Sequence, residues 1–286
     1  MMTIQEKFEQ AKLEIGAEQF NRHYSAVFGK PCLNFVKTIV INLPGPCYAN
    51  CPYCIDNDIR KHVIDTKGFL SICEKVFNEF SDIQEVSITG GSLNAENFNI
   101  LVEMIVNNYP NATITWNTNG IKIDRQYNVN PIKYINLHRN SVDDRKNKEK
   151  FCTKQDPISI EKAKELFDEK LCLRVTIDEE FDLDEYAALG IPLYLNQMLP
   201  GTNETNEKYK EVLNKLQLCS NDLRRRNVYL NTIYNDIKVR VCVGDRLATH
   251  VHGRYPIYLN VVVVHRSGIV CGSWYEDDKV FYVPTT

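Results

Sequence analysis

The stretch Cys47-Tyr48-Ala49-Asn50-Cys51-Pro52-Tyr53-Cys54 sets three cysteines in eight residues at the spacing C-x3-C-x2-C. It follows an apolar run over residues 35–43 that reads as a buried strand. Leu43-Pro44-Gly45-Pro46 then breaks the strand and presents the cysteines as a loop at its C-terminal end. Three thiolates this close can ligate three irons of a cubane cluster. A 4Fe–4S cluster ordinarily takes four thiolates, so the triad leaves one iron for an outside ligand. Zinc and disulfide chemistry are the alternatives. A zinc site calls for a second close pair of Cys or His, and the next cysteine, Cys73, lies inside a helical pattern.

On the C-terminal side of the loop the chain alternates helix and strand. Asp65 or Thr66 can cap a helix whose apolar stripe is Phe69, Ile72, Cys73, Val76, Phe77 and Phe80. A short strand over 85–89 runs into Gly90-Gly91-Ser92, and Asn94 opens a second helix with Phe98, Leu101, Met104 and Ile105 on one side. Residues 113–117 form a strand ending in Thr118-Asn119-Gly120, and residues 134–137 form the next. Ser159 caps a helix carrying Ala163, Leu166 and Phe167. Strands over 173–177 and 193–197 follow, the latter ending at Met198-Leu199-Pro200-Gly201. Six strands with helical segments between them predict an α/β fold whose parallel sheet is built of βα units. Ligands in such sheets collect at the C-terminal strand ends. The cysteine loop, the Gly-Gly turn and the Asn-Gly turn all sit at such ends.

Beyond this body, residues 4–28 read as a helix, with Ile4, Phe8, Ala11 and Ile15 near helical spacing. After Gly201 a helix with Tyr209, Val212, Leu213 and Leu216 leads to strands over 239–243 and 256–265, and Arg266-Ser267-Gly268 suits a hairpin turn. The expected division is an N-terminal helical flank over 1–30, a body over 31–201, and a small C-terminal α+β extension over 202–286 that covers the mouth of the body.

Charge is nearly balanced, 34 basic residues against 37 acidic, so there is no field to gather a nucleic-acid backbone. An apolar content of 43% is ample for a large core. The first residues are charged and no apolar run reaches bilayer length, so a cytoplasmic protein that does not enter membranes is expected. Ten cysteines in that setting are expected to be reduced thiols.

The loop resembles the radical S-adenosylmethionine (radical SAM) superfamily, whose motif is C-x3-C-x-Φ-C with an aromatic at Φ, here Tyr53. The resemblance covers roughly residues 35–200, and it implies a partial (β/α)6 TIM-like barrel. It also implies a 4Fe–4S cluster on Cys47, Cys51 and Cys54, with S-adenosylmethionine (SAM) chelating the fourth iron. Reductive cleavage of SAM would yield a 5′-deoxyadenosyl radical that abstracts hydrogen from a substrate, using an electron from a donor such as flavodoxin or ferredoxin. Thr89-Gly90-Gly91-Ser92-Leu93 looks like the superfamily's Gly-Gly-Glu turn beside the SAM amino group. Ser92 replaces the glutamate, and Glu96 could reach back in its stead.

Further along, the texture is nearest to the molybdopterin-precursor cyclase branch. Asn117-Thr118-Asn119-Gly120 resembles the turn near the ribose and adenosine. Asn136-Leu137-His138-Arg139-Asn140-Ser141 is similar to the next strand end, with His138 at the place of a small hydroxyl residue and Asn140 or Ser141 able to substitute. Arg174 alternates with apolar neighbours and would point into the barrel toward an anion, either the SAM carboxylate or a substrate group, unless it forms a structural salt bridge. Met198 stands where the sixth strand end lies near the adenine. Cys219, Cys242 and Cys271 are spaced too widely for the auxiliary clusters of peptide-modifying relatives. The implied substrate is therefore a small polar, nucleotide-like molecule. The alternatives are a peptide- or protein-modifying enzyme and a non-catalytic iron–sulfur or zinc protein.

Overall fold

A computed structural model of the chain describes residues 36–52, 54, 63–198, 201–218, 228–243, 261–271 and 280–282. The helix expected over 4–28 and the aromatic Tyr53 lie outside them. In chain order the elements are β1 (Thr38–Leu43), α1 (Thr66–Glu79), β2 (Glu85–Gly90), α2 (Ala95–Asn108), β3 (Thr113–Thr118), β4 (Tyr134–His138), α3 (Asp144–Lys150), α4 (Ile160–Phe167) and β5 (Leu171–Ile177). They continue with α5 (Leu183–Ala187), β6 (Leu193–Gln197), α6 (Asn203–Lys215), β7 (Val228–Tyr234), β8 (Ile237–Val243), β9 (Val261–Val264), β10 (Val270–Cys271) and β11 (Val280–Tyr282). The six expected strands are β1 to β6, and the expected caps Asp65, Asn94 and Ser159 each accept a backbone N–H in the first turn of their helix.

The chain divides into two compact units. One comprises Met1–Pro46, Asp58–Ile114 and Tyr255–Thr286, the other Cys47–Asn57 and Thr115–Arg254. In the first unit the strand order is β11-β10-β9-β1-β2, with β1 parallel to both β2 and β9. Ile39, Ile41 and Leu43 are buried, and so are Val40 and Asn42 between them. A strand covered on both faces reads as a continuous apolar run, which is why residues 38–43 do not alternate. The α1 stripe of Phe69, Cys73, Val76 and Phe77 is fully packed, and each large apolar side chain so buried contributes roughly 1.5–3 kcal/mol. Tyr109, just beyond α2, closes the end of α1. Its hydroxyl donates to the carbonyls of Phe77 and Phe80 at 3.0 and 2.6 Å, groups that a helix C-terminus otherwise leaves without partners.

In the second unit the order is β3-β4-β5-β6-β8-β7, parallel apart from β7. The β7–β8 hairpin turns at Asn235 and Asp236, both at positive φ (46° and 65°), which short amide and carboxylate side chains tolerate best. Among the described residues, the strands after Gly201 join those of the body. Strand β8 adds to β6 and β9 adds to β1, because the edge of a parallel sheet offers unpaired backbone groups that another strand satisfies. The hairpin expected at Arg266-Ser267-Gly268 is present between β9 and β10, with Gly268 at φ 87°. The result is an α/β fold on mostly parallel strands, as a partial barrel requires, and neither unit closes its strands into a ring.

Candidate active site

Strand β5 alternates strictly. Leu171, Leu173, Val175 and Ile177 are buried on one face, while Cys172, Arg174 and Thr176 are half-buried on the other. Successive side chains of a strand point to opposite faces, so the second unit has one apolar face and one polar face. Strand register arranges the polar face in rows. Asn117, Asn136 and Cys172 form one, His138, Arg174, Tyr194 and Arg240 the next, and Thr176 and Asn196 the third. Asn117 Oδ1 accepts from Asn136 Nδ2 at 2.9 Å and from Arg174 Nη1 at 3.0 Å, tying β3, β4 and β5 together.

His138 sits at the end of β4 with Nε2 3.3 Å from Thr176 Oγ1. Burial lowers its pKa to about 4, the Arg174 guanidinium acts in the same direction, and the Asn140 side chain opposes them. It is an uncharged imidazole at neutral pH, able to exchange a hydrogen bond with Thr176 and unable to supply a cation. Between pH 6.5 and 4 the unfolded chain protonates at this residue while the folded chain does not, so stability falls as pH drops through that window. The loss from His138 is at most about 3 kcal/mol. Denaturant titrations at several pH values should show a shallower slope over that window for His138→Asn than for the natural chain.

The cysteine loop belongs to the same unit. Ala49 and Cys51 are buried with Ile121 and Phe151, and Cys47, Tyr48 and Cys54 pack against them. Asn50 N–H donates to the Phe151 carbonyl at 2.8 Å, and Cys54 N–H closes a turn on Cys51 at 3.1 Å. Asn119 Nδ2 donates to Cys47 Sγ at 3.6 Å, while its Oδ1 accepts from the N–H of Ile121. Lys122 Nζ lies 4.1 Å above the Tyr48 ring. Phe151 touches both parts of the unit, since its ring meets His138 edge to face at 5.8 Å. Packing thus runs from the cysteine loop through Phe151 to the polar face. Among the described residues no three His, Cys, Asp or Glu side chains are grouped as a metal-ion site. The chemistry of the donor set does fit an iron–sulfur cluster: Cys47, Cys51 and Cys54 are thiols outside any disulfide on one loop, in an apolar shell, with an amide donor to sulfur.

The Gly-Gly turn lies in the first unit, where Leu43 and Gly90 stand level in register. A Cβ on Gly90 (φ 88°) would fall 1.7 Å from Asn42 Oδ1, and one on Gly91 would fall 1.9 Å from the Gly45 carbonyl oxygen. Only glycine lets the turn close on the segment that leaves β1 toward the cysteines. Ser92 Oγ donates to the Pro46 carbonyl at 2.8 Å, so its hydroxyl secures that segment, and Glu96 is exposed in the first turn of α2. Gly91→Ala is expected to cost roughly 1–3 kcal/mol, read as a lowered urea midpoint. A midpoint unchanged from the natural chain would show that the turn has room to spare.

Of the residues singled out in the sequence, Cys47, Cys51, Cys54, Asn117, Thr118, His138, Asn140, Arg174 and Met198 belong to the second unit, and Gly90, Gly91 and Ser92 to the first. Thr118 Oγ1 accepts the Gly120 N–H at 3.1 Å, Asn140 is buried with its N–H on Asn147 Oδ1 at 2.8 Å, and Met198 is half-buried past β6. Sequence reasoning missed Thr176, Tyr194, Asn196 and Arg240. The period-two interruptions of Leu193-Tyr194-Leu195-Asn196 and Val239-Arg240-Val241 carried that signal.

No protein-family model matches the chain, and no curated protein matches it. Among solved structures, native anSMEcpe with bound AdoMet and Cp18Cys peptide is similar over 86% of this chain and 74% of its own, at 17% identity and a TM-score of 0.52. Streptococcus suis SuiB bound to precursor peptide SuiA is similar over 92% of this chain and 64% of its own, at 12% identity and a TM-score of 0.54. SuiB bound to S-adenosylmethionine is similar over 94% and 69%, at 14% identity and a TM-score of 0.52. The chain shares the fold of these proteins, and spans less than two-thirds of the peptide-bound SuiB chain.

Proposed function

We propose that the chain is a radical SAM enzyme in which Cys47, Cys51 and Cys54 hold a 4Fe–4S cluster and SAM binds at its open iron. The observation that carries this reading is the seating of the three-thiol loop, through Phe151, beside a half-buried polar strand face. Bound there, the cluster and SAM supply a 5′-deoxyadenosyl radical for hydrogen abstraction. The protein's own part is placement and exclusion of water. Asn119 hydrogen-bonds the Cys47 sulfur, and Ala49, Ile121 and Phe151 keep the loop dry. By the superfamily resemblance, Gly90, Gly91 and Ser92 would serve the methionine end of SAM. Asn117 and Thr118 meet the ribose side, with His138 and Asn140 next to them, and Met198 lies by the adenine. Tyr53 fills the aromatic position of the motif.

The body over 31–201 carries this chemistry, and a flavodoxin or ferredoxin delivers the electron. The substrate is a small polar molecule, in keeping with the amides, imidazole and guanidinium of the strand face. A second reading, a peptide substrate, is favoured by the peptides named in the anSMEcpe and SuiB structures. No helix among the described residues is long and apolar enough to cross a membrane, and we place the enzyme in the cytoplasm.

Anaerobic reconstitution tests the proposal. Iron content near four per chain is expected, as are an EPR signal of the reduced cluster that SAM perturbs and formation of 5′-deoxyadenosine. A reduced protein whose signal ignores SAM and which forms no 5′-deoxyadenosine would be a binding or structural metal protein instead.

A further inference from the structure

We propose that Arg174 and Arg240, both stacked on Tyr194, form a binding site for the phosphate or carboxylate group of a small anionic substrate. The two guanidiniums come from β5 and β8, the strands flanking β6, and lie 5.1 and 5.6 Å from the Tyr194 ring centroid. All three residues share one register row of the polar face, level with His138. The site therefore rests on the proposed function for its role, though not for its existence.

Two observations point to an anion. The charges felt by the neighbouring side chains are cationic. Burial pushes the Cys172 thiol up to about 12, and the charges that oppose it are those of Arg174 and Arg240; the charge acting on His138 is Arg174. The hydrogen bond recorded for the Arg174 side chain goes to the neutral amide of Asn117, one of five N–H donors that a guanidinium carries. Tyr194 is 8% exposed and so offers a fixed platform. A guanidinium stacked on an aromatic ring keeps its planar fork of donors for bidentate contact with phosphate or carboxylate. Arg240 is exposed, which leaves the outer half of the site open to solvent and to ligand entry.

The SAM carboxylate has the same chemistry, so the experiment separates the two sources. Isothermal titration of anaerobically reconstituted protein uses inorganic pyrophosphate in one arm and SAM in the other, with iron content measured on each sample. Pyrophosphate binding is expected to weaken at least 10-fold in Arg240→Gln and in Arg174→Gln and to persist in Arg240→Lys, while Arg240→Gln binds SAM as the natural protein does. Arg240 is exposed, so its replacement leaves the fold intact, and a thermal melt verifies this. Absence of pyrophosphate binding to the natural protein, or unchanged binding in Arg240→Gln, overturns the proposal. A loss in the SAM arm alone also overturns it, by assigning the pair to the cofactor. Pyrophosphate binding through Arg240 in a protein that never cleaves SAM would keep the anion site and sink the radical SAM reading. Cleavage of SAM with no pyrophosphate binding would do the reverse.

Discussion

Cys51→Ala, reconstituted anaerobically beside the natural chain, is expected to lose the SAM-perturbed EPR signal and all detectable 5′-deoxyadenosine. Cys51 is 8% exposed and lies in the cluster of Ala49, Ile121 and Phe151, so it is the buried one of the three thiols. A 4Fe–4S cluster on three thiolates has no spare protein ligand, and with two it cannot keep a single open iron. Removing one sulfur from a buried site costs on the order of 1 kcal/mol, too little to unfold a domain of ordinary stability. Loss of signal in a protein whose circular dichroism and melting are near those of the natural chain therefore reports ligation. Equal iron content and equal 5′-deoxyadenosine in the two proteins would remove Cys51 from the ligand set. The non-catalytic alternatives predict no 5′-deoxyadenosine from either protein.

Arg139→Met is expected to give the largest loss of stability. Arg139 is fully buried, and its guanidinium donates to the carbonyls of Ser141, Val142 and Ile158 and to Asp144 Oδ1 at 2.6 Å. One side chain thereby gathers the segment that leaves β4, the start of α3 and the residue before the cap of α4. Tyr186 adds a hydrogen bond to the Arg139 carbonyl at 3.4 Å. Methionine fills much of the volume but satisfies none of the acceptors, and carbonyls left buried without partners are costly. A loss of roughly 3–5 kcal/mol is expected in denaturant titration. Asp144→Asn keeps an oxygen acceptor for the guanidinium on a half-exposed side chain, so it should cost no more than about 1 kcal/mol. A loss below about 1 kcal/mol in Arg139→Met would mean that water takes over the acceptors and that Arg139 holds nothing in place.

Arg139 also marks where sequence reasoning stopped. It stands in the stretch Asn136–Ser141 that was read for its likeness to a strand end, and a charged residue there suggests exposure. Three of its four acceptors are backbone carbonyls two, three and nineteen residues away, and no residue type announces a carbonyl. Ser92 is a similar case. Its hydroxyl donates to the carbonyl of Pro46, forty-six residues earlier, because β1 and β2 end level, and spacing along the chain does not announce that acceptor.

Local chemistry in the sequence was enough for the three-thiol loop, the order and type of β1 to β6, and the helix caps at Asp65, Asn94 and Ser159. Each depends on neighbours a few residues apart: thiol spacing, apolar period, and a side-chain oxygen that reaches the first free N–H groups of its own helix. Tertiary structure alone decided which polar residues share a row. Arg174 meets Asn117 across fifty-seven residues, and it meets Tyr194 and Arg240 through the pairing of β5, β6 and β8. A period of two tells which face a side chain takes. The register between strands is set by long-range packing, and only that register brings two guanidiniums to one ring.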